Sequence, residues 1–381
     1  MSHERKNCEM VKPSQREALL IYLRQCLFEQ RVIGLFLGHE RLLLAPALRR
    51  RFQGGAMEAD AAEAPPPPTA PTVRELSGEP SSAAFFAEHV EQNRPLVVRG
   101  GCARWAATNW CAESLRKFGD EPVRVAPLVP TGPHAYCDKW LEPAALWTPH
   151  AEPEPGVVRE DVVLAVAAAR VHMPLRRFVD LLEPRRSAVA AAFYADGAGN
   201  LARSFPFLAD DFAPPPMAAN LQLKRADLWI GHTSVSRMHY DNLDNLFAQV
   251  VGAKTFVLAE PAAAAHLVQG RLRKANYVYE HPGVFARGAP TDETVINYCG
   301  ADRPPEVPTV SVRLEAGDLL YLPFGWWHEV HAHPDEKKGL CAAVSHFYHP
   351  YWCRLGGPTT TELGPMILNP RYHREGEEGA G

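Results

Sequence analysis

The fold is decided by residues 236–258, which read SRMHYDNLDNLFAQVVGAKTFVL. An imidazole (His239) and a carboxylate (Asp241) stand two residues apart, and an apolar strand, a turn at Gly252 and a second strand follow. On a strand, residues i and i+2 point to the same face, so we expect both side chains to aim at one point inside a barrel. Asn245, four residues after Asp241, points to the same face if the strand continues unbroken. Imidazole and carboxylate together suit Fe(II), and a third ligand would complete the site.

The His-x-Asp/Glu motif carries little information by itself, because the chain has 16 histidines. None of the other copies lies in a strand pattern, whereas His239 precedes a strand, a turn and a second strand. The context of the motif, rather than the motif, therefore predicts a metal site. The four other copies begin at His89, His150, His333 and His373.

The expected third ligand is His328. It follows a Gly-Asp turn, the apolar strand 319–323 and two tryptophans, so it would enter a small barrel from the opposite side. The alternative is a core or surface histidine beside tryptophan. His331 and His333 are discounted as ligands because we expect both to lie beyond the strand, in a loop.

Lys254 stands in the apolar stretch AKTFVLA and is expected to be buried. An unpaired buried ammonium is costly, and that strand carries no acid, so a dicarboxylate cosubstrate would supply the missing anion. Ser236 and Tyr194 are hydroxyls that could share the same carboxylate. The alternatives are an edge lysine that reaches solvent, a turn serine and a core tyrosine.

Composition sets wider bounds. A chain of 381 residues with 46% apolar content can form one large domain with tails, or two domains. A net charge of −4 gives no electrostatic signature of nucleic-acid binding. The 8 cysteines include no C-x-x-C pair, which favours reduced thiols and a cytoplasmic or nuclear protein. No apolar run reaches bilayer-spanning length without charge, so no membrane association is expected.

The chain divides into segments of different composition. We expect a poorly ordered or partly helical extension, a Pro- and Ala-rich linker, one folded domain and a flexible polar tail. We also hypothesise that the native start is Met57, because a low-complexity segment follows it directly. The corresponding ranges are 1–56, 57–72, 73–355 and 356–381.

Within the folded domain, residues 82–92 and 173–182 are predicted to be helices, the second with a proline at its start. Periodicity does not decide between helix and strand for residues 161–169. Residues 126–160 and 270–308 hold few periodic stretches, and we expect loops at the rim and mouth of the barrel.

Taken together, these residues resemble the JmjC (cupin-like) Fe(II)- and 2-oxoglutarate-dependent oxygenases, in the subgroup of small hydroxylases that includes asparaginyl and wybutosine hydroxylases. The resemblance covers about residues 73–355 and implies a mainly β fold with flanking helices, the double-stranded β-helix or jelly roll of the cupins. Its motifs are HYD at 239–241, LFAQVVGAK at 246–254, GDLLYLP at 317–323 and WWH at 326–328.

The resemblance also implies roles for single residues. His239, Asp241 and His328 would bind Fe(II), and 2-oxoglutarate and O2 would complete the reaction. Lys254 stands where the subgroup carries its 2-oxoglutarate lysine, and Ser236 where the family usually has threonine. The remaining residues expected to bind the cosubstrate are Tyr194, Asn245 and Ser345, the last of which replaces a common asparagine.

The implied activity is hydroxylation of a C–H bond in a protein side chain. An RNA nucleoside hydroxylase is the first alternative, and a basic rim that includes Arg271, Arg273 and Lys274 would favour it. A histone lysine demethylase is disfavoured because no reader or zinc domain is visible. A non-catalytic cupin that binds a partner is disfavoured because no metal ligand is missing. The C-terminal helices that dimerise some members are not evident after residue 356, so no oligomeric state is predicted.

Overall fold

The computed structural model describes the folded part of the chain. The described residues are 71–128, 136–143, 163–182, 193–195, 201, 205–261, 263, 267, 272–281, 284–291, 294–295 and 307–350. The predicted extension, almost all of the predicted linker and the predicted tail lie outside them. No helix among the described residues is both long and apolar enough to cross a bilayer.

Strands dominate the described chain. In chain order they are β1 (Arg74–Leu76), β2 (Leu96–Val98), β3 (Pro122–Pro127), β4 (Lys139–Pro143), β5 (Val163–Ala168), β6 (Val171–Pro174), β7 (Phe193–Ala195), β8 (Leu223–Gly231), β9 (Ser234–Tyr240), β10 (Asp244–Val251), β11 (Ala253–Ala259), β12 (Leu272–His281), β13 (Val284–Arg287), β14 (Thr294–Val295), β15 (Val310–Leu314), β16 (Leu319–Leu322), β17 (Trp327–His333) and β18 (Cys341–Tyr348).

Eight of these strands form two facing sheets. In the larger sheet the neighbours are β16, β10, β18 and β8, and in the smaller sheet they are β15, β11, β17 and β9. From β8 to β11, and again from β15 to β18, successive strands alternate between the two sheets. This is the double-stranded β-helix, so the predicted fold class is confirmed.

The space between the two sheets is filled by large apolar side chains. Phe247 from the larger sheet meets Phe256 from the smaller one edge to face, with ring centroids 4.9 Å apart. Leu258, Leu320 and Leu322 pack into the same cluster. These side chains form an apolar core between the two sheets.

The other face of the larger sheet packs against helices. They include α1 (Ser82–Phe85), continued by a π-helical turn (Phe86–Val90), α2 (Ala112–Leu115) and α3 (Leu175–Leu182). Short 3-10 helices span Ala106–Asn109, Arg116–Phe118, Pro206–Asp211 and Pro216–Ala218. In α3 the buried residues are Leu175, Phe178, Val179 and Leu182, a spacing that puts one apolar stripe against the core. Both predicted helices are confirmed, although the second starts later than predicted because β6 runs through Pro174.

Two regions predicted to be loops contain strands. β4 lies within 126–160 and β12 within 270–308, and they join β5 and β13 in a third sheet in the order β13-β12-β5-β4. Within the undecided stretch 161–169, residues 163–168 form the strand β5. Tyr277 on β12 and Trp140 on β4 stack with ring centroids 5.7 Å apart, so aromatic contacts across the sheet stabilise an element whose strands alternate poorly.

Candidate metal centre

His239 and Asp241 lie at the end of β9, where the chain leaves the smaller sheet. β9 ends at Tyr240 and β10 begins at Asp244, so Asp241 lies in the connecting turn. The strand is broken here, so the condition under which Asn245 would point to the same face as His239 along one strand is not met.

The turn that follows β9 is fastened to the turn that precedes His328. The backbone N–H of Gly325 donates to the carbonyl of Asp241 at 3.1 Å. The backbone N–H of Phe324 donates to the Asp244 carboxylate at 2.9 Å. These two hydrogen bonds, together with the pairing of His328 with His239 across β17 and β9, bring the third candidate ligand, His328, to the first two.

The three candidate ligands converge. One ligand atom from each of His239, Asp241 and His328 lies within 4.8 Å of the others. The Nε2 atom of His328 is 3.7 Å from Oδ2 of Asp241, and the two imidazole rings have centroids 4.2 Å apart. Two imidazoles and one carboxylate at this spacing can surround a single divalent cation.

The outward nitrogen of each imidazole is already occupied. Nδ1 of His239 is 2.7 Å from the carbonyl oxygen of Arg237, and Nδ1 of His328 is 3.0 Å from that of Trp326. A carbonyl only accepts, so each Nδ1 carries the proton and each Nε2 keeps a lone pair. Metal-binding histidines in proteins are oriented in this way, so these residues fit a metal ion.

The electrostatic environment keeps His239 neutral. Burial lowers the pKa of His239 well below its ordinary value, and the nearby charges of His328 and Lys139 lower it further. A neutral imidazole is the form that binds a metal. The metal-binding form of His239 therefore requires no further proton loss at neutral pH.

His331 and His333 lie in β17 rather than in a loop, so the reason for discounting them is wrong. Along β17, residues 328, 330 and 332 share one face, and His331 and His333 share the other. His331 hydrogen bonds with Glu329 at 2.8 Å and His333 with Thr255 at 3.0 Å. Both histidines therefore point away from the candidate metal site.

Strand register places Lys254 and Ser236 on the inner face of the smaller sheet. Lys254 pairs with Ala332, while Ser236 pairs with Val330. Both partners share the face of His328. Ser236 and His239 are three residues apart, and on a regular strand such residues point to opposite faces. They share a face here because the register between β9 and β17 shifts between His328 and Val330.

Lys254 is buried on the inner face of the smaller sheet. Lys254 is 9% exposed, and its Nζ atom lies 5.0 Å from the ring centroid of Phe247. Burial lowers the pKa of Lys254, and the charges of Cys341 and Asp138 oppose that decrease. An ammonium in this position favours an anionic partner inside the barrel.

Ser345 and Asn245 lie on the opposite wall, in the larger sheet. The indole N–H of Trp229 donates to the Ser345 hydroxyl at 3.0 Å, and the Asn245 amide donates to the same oxygen at 3.4 Å. Since the oxygen accepts twice, the Ser345 proton remains available to donate. The backbone of Tyr194 pairs with Gly231, while its side chain lies outside the described residues.

Two residues of the site were missed by the sequence analysis. Asp138 accepts a hydrogen bond from Ser236 at 3.1 Å, and the charge of Lys139 acts on His239. Both belong to residues 136–143, within a region predicted to be a loop. That prediction placed the region at the rim of the site, but only the tertiary pairing with β9 identifies which of its residues contact the site.

Comparison with known families agrees with the geometry. A family model described as a cupin-like domain matches residues 82–352. This range contains both sheets of the barrel and all three candidate metal ligands.

The chain is similar to several characterised proteins. It is 25% identical over 290 residues to the Homo sapiens protein named bifunctional peptidase and (3S)-lysyl hydroxylase JMJD7, covering 72% of this chain and 83% of that protein. It is 26% identical over 307 residues to the Arabidopsis thaliana protein named lysine-specific demethylase JMJ32, covering 72% and 84%. It is 31% identical over 130 residues to tRNA wybutosine-synthesizing protein 5 of Danio rerio, covering 34% and 36%.

Proposed function

The chain belongs to the cupin-like domain family, and from that membership we propose that it is an Fe(II)- and 2-oxoglutarate-dependent oxygenase that hydroxylates a C–H bond of a protein side chain. The observation that carries the proposal is the convergence of His239, Asp241 and His328 on one point. Both imidazoles are held there by backbone carbonyls through Nδ1.

Each element of the site has a defined task in this proposal. His239, Asp241 and His328 hold Fe(II) from one side, which leaves positions for the cosubstrate and for oxygen. When bound, the iron supplies oxygen activation coupled to decarboxylation of 2-oxoglutarate to succinate. Lys254 and Ser236 bind the distal carboxylate of the cosubstrate, and the Ser345 hydroxyl donates from the opposite wall.

A protein substrate is favoured over RNA by two observations. The similarity to the two relatives whose names refer to lysine covers 72% of this chain, whereas that to the wybutosine-synthesizing relative covers 34%. The net charge of −4 also lacks the basic excess typical of RNA-binding domains. Of the predicted basic rim, Arg273 and Lys274 lie on β12 in the third sheet, and Arg271 lies outside the described residues.

The test is succinate production by the full-length protein with Fe(II) and 2-oxoglutarate. Pools of cellular protein, synthetic peptides and tRNA are supplied in parallel, and products are analysed by mass spectrometry for the gain of one oxygen atom. We expect a protein or peptide pool to stimulate succinate release. Stimulation by tRNA alone would replace the proposed substrate class, and the absence of 2-oxoglutarate turnover with every pool would overturn the proposal.

Asp241→Ala is the matched negative variant. It removes the carboxylate of the metal cluster, so we expect loss of iron-dependent turnover with the fold intact by circular dichroism. Glu336→Ala is the control, because Glu336 is an exposed carboxylate in the connection between β17 and β18, outside this cluster. Undiminished turnover by Asp241→Ala would refute the ligand assignment.

A further inference from the structure

Residues 136–138 cover the free edge of the smaller sheet. β9 is the last strand of that sheet, and the backbone N–H of Val235 donates to the carbonyl of Tyr136 at 2.9 Å. The N–H of Asp138 donates back to the carbonyl of Val235 at 3.1 Å. Tyr136 has a positive φ of 60°, a conformation that is unfavourable for a residue with a side chain. Backbone strain of this kind persists only where surrounding contacts enforce it.

This pairing directs the Asp138 carboxylate into the barrel. Its Oδ2 accepts a hydrogen bond from the Ser236 hydroxyl at 3.1 Å. Ser236 pairs with Val330, between the pair formed by His239 with His328 and the pair formed by Ser234 with Ala332. The hydroxyl expected to bind a cosubstrate carboxylate is therefore bound to a carboxylate of the protein itself.

The same carboxylate acts on Lys254. Asp138 and Cys341 are the two groups whose charges raise the pKa of Lys254 against the effect of burial. Burial raises the pKa of the Cys341 thiol, which keeps it neutral near pH 7. Of these two groups, Asp138 is therefore the carboxylate that acts on the buried ammonium.

We propose that Asp138 is an internal competitor of the cosubstrate. Its carboxylate accepts the hydrogen bond of the Ser236 hydroxyl, which the distal carboxylate of 2-oxoglutarate would accept when it binds Lys254. The inference rests on the proposed function. A second carboxylate that enters this partly buried region is repelled by the first. It can accept the proton of the Ser236 hydroxyl only if the hydrogen bond to Asp138 is broken. Asp138 thus sets the affinity for the cosubstrate without binding the metal.

The test is a titration of 2-oxoglutarate into the full-length protein loaded with Mn(II), followed by calorimetry. Asp138→Asn keeps a carbonyl oxygen for Ser236 and removes the charge. We expect this variant to bind 2-oxoglutarate about tenfold more tightly than the wild type. Glu280→Gln, which removes an exposed carboxylate on β12, is the charge-matched control and is expected to leave the affinity unchanged.

A second ligand separates competition from an effect on the metal. 2-Oxobutanoate carries the keto acid group but lacks the distal carboxylate, so its affinity should not change in Asp138→Asn. Equal tightening of both ligands, or unchanged or weaker binding of 2-oxoglutarate, would overturn the inference. If Asp138→Asn disturbs folding, Asp138→Ser carries the same test with a shorter side chain. Failure of the wild type to bind 2-oxoglutarate at all would instead refute the proposed function.

Discussion

At the scale of single residues, Lys254 is the most informative side chain of the site. Its ammonium lies on the inner face of the smaller sheet, and burial lowers its pKa. Lys254→Met keeps most of the side-chain volume and removes the charge. Loss of a charge-assisted hydrogen bond is worth about 1.5–3 kcal/mol, so we expect 2-oxoglutarate to bind about 10- to 100-fold more weakly.

The measurement for Lys254 is the same Mn(II)-supported titration, with metal affinity determined separately. Lys224→Met is the matched control, because Lys224 is exposed at the start of β8. Metal binding should be nearly equal in all three proteins. Unaltered cosubstrate affinity in Lys254→Met would show that the ammonium does not bind the distal carboxylate.

Some site residues could be predicted from the sequence because local periodicity fixes them. His239 and Asp241 are two residues apart, and an apolar strand precedes His328. The face of Ser236 could not be derived from periodicity, because a register shift between β9 and β17 reverses it. The role of Asp138 could not be predicted from the sequence for a different reason. Only the long-range pairing of its segment with Val235 brings it to the site.

At the scale of elements, the turn between β10 and β11 depends on Gly252. Its φ is +69°, and a Cβ would lie 2.5 Å from the carbonyl oxygen of His333. Gly100 has nearly the same φ, +70°, with open space around a Cβ. Alanine at either position costs about 1–2 kcal/mol for the left-handed conformation. Gly252→Ala must also displace backbone, at a further cost of about 1–3 kcal/mol.

Chemical denaturation of the two alanine variants checks this difference. We expect Gly252→Ala to lower the free energy of unfolding clearly more than Gly100→Ala does. Equal losses would mean that the connection beside His333 moves freely to admit a methyl group. In that case the turn does not fix how the smaller sheet is held against its neighbour.

The elements also differ in how well the sequence predicts them. The barrel strands β10, β16 and β18 are fully buried and apolar over most of their length, so they are evident as strands. β12 reads LRKANYVYEH, with charges near both ends and little alternation. It becomes a strand by pairing in parallel with β5, a contact that joins residues more than a hundred positions apart.

At the scale of the whole molecule, the larger sheet buries one face in the barrel and the other against helices. His346 on β18 belongs to the second face and is 1% exposed. The rings of Trp105 and Phe212 contact it edge-on, with centroids 5.9 and 6.2 Å away. Burial lowers the pKa of His346 from its ordinary value of 6.5 to about 4. The folded protein therefore requires a neutral imidazole in its core.

This requirement predicts how stability depends on pH. As the pH falls below 6.5, His346 gains a proton in the unfolded chain but stays neutral in the folded chain until about pH 4. The unfolded state binds more protons in this range, so the free energy of unfolding decreases as the pH is lowered. His346 contributes about 3 kcal/mol to this decrease, and its contribution levels off below pH 4. His346→Phe should remove that part of the slope in urea denaturation between pH 7 and about 4. His172→Phe, at an exposed position on β6, should retain the wild-type slope. If His346→Phe also retains it, His346 does not enter the folded core in its neutral form.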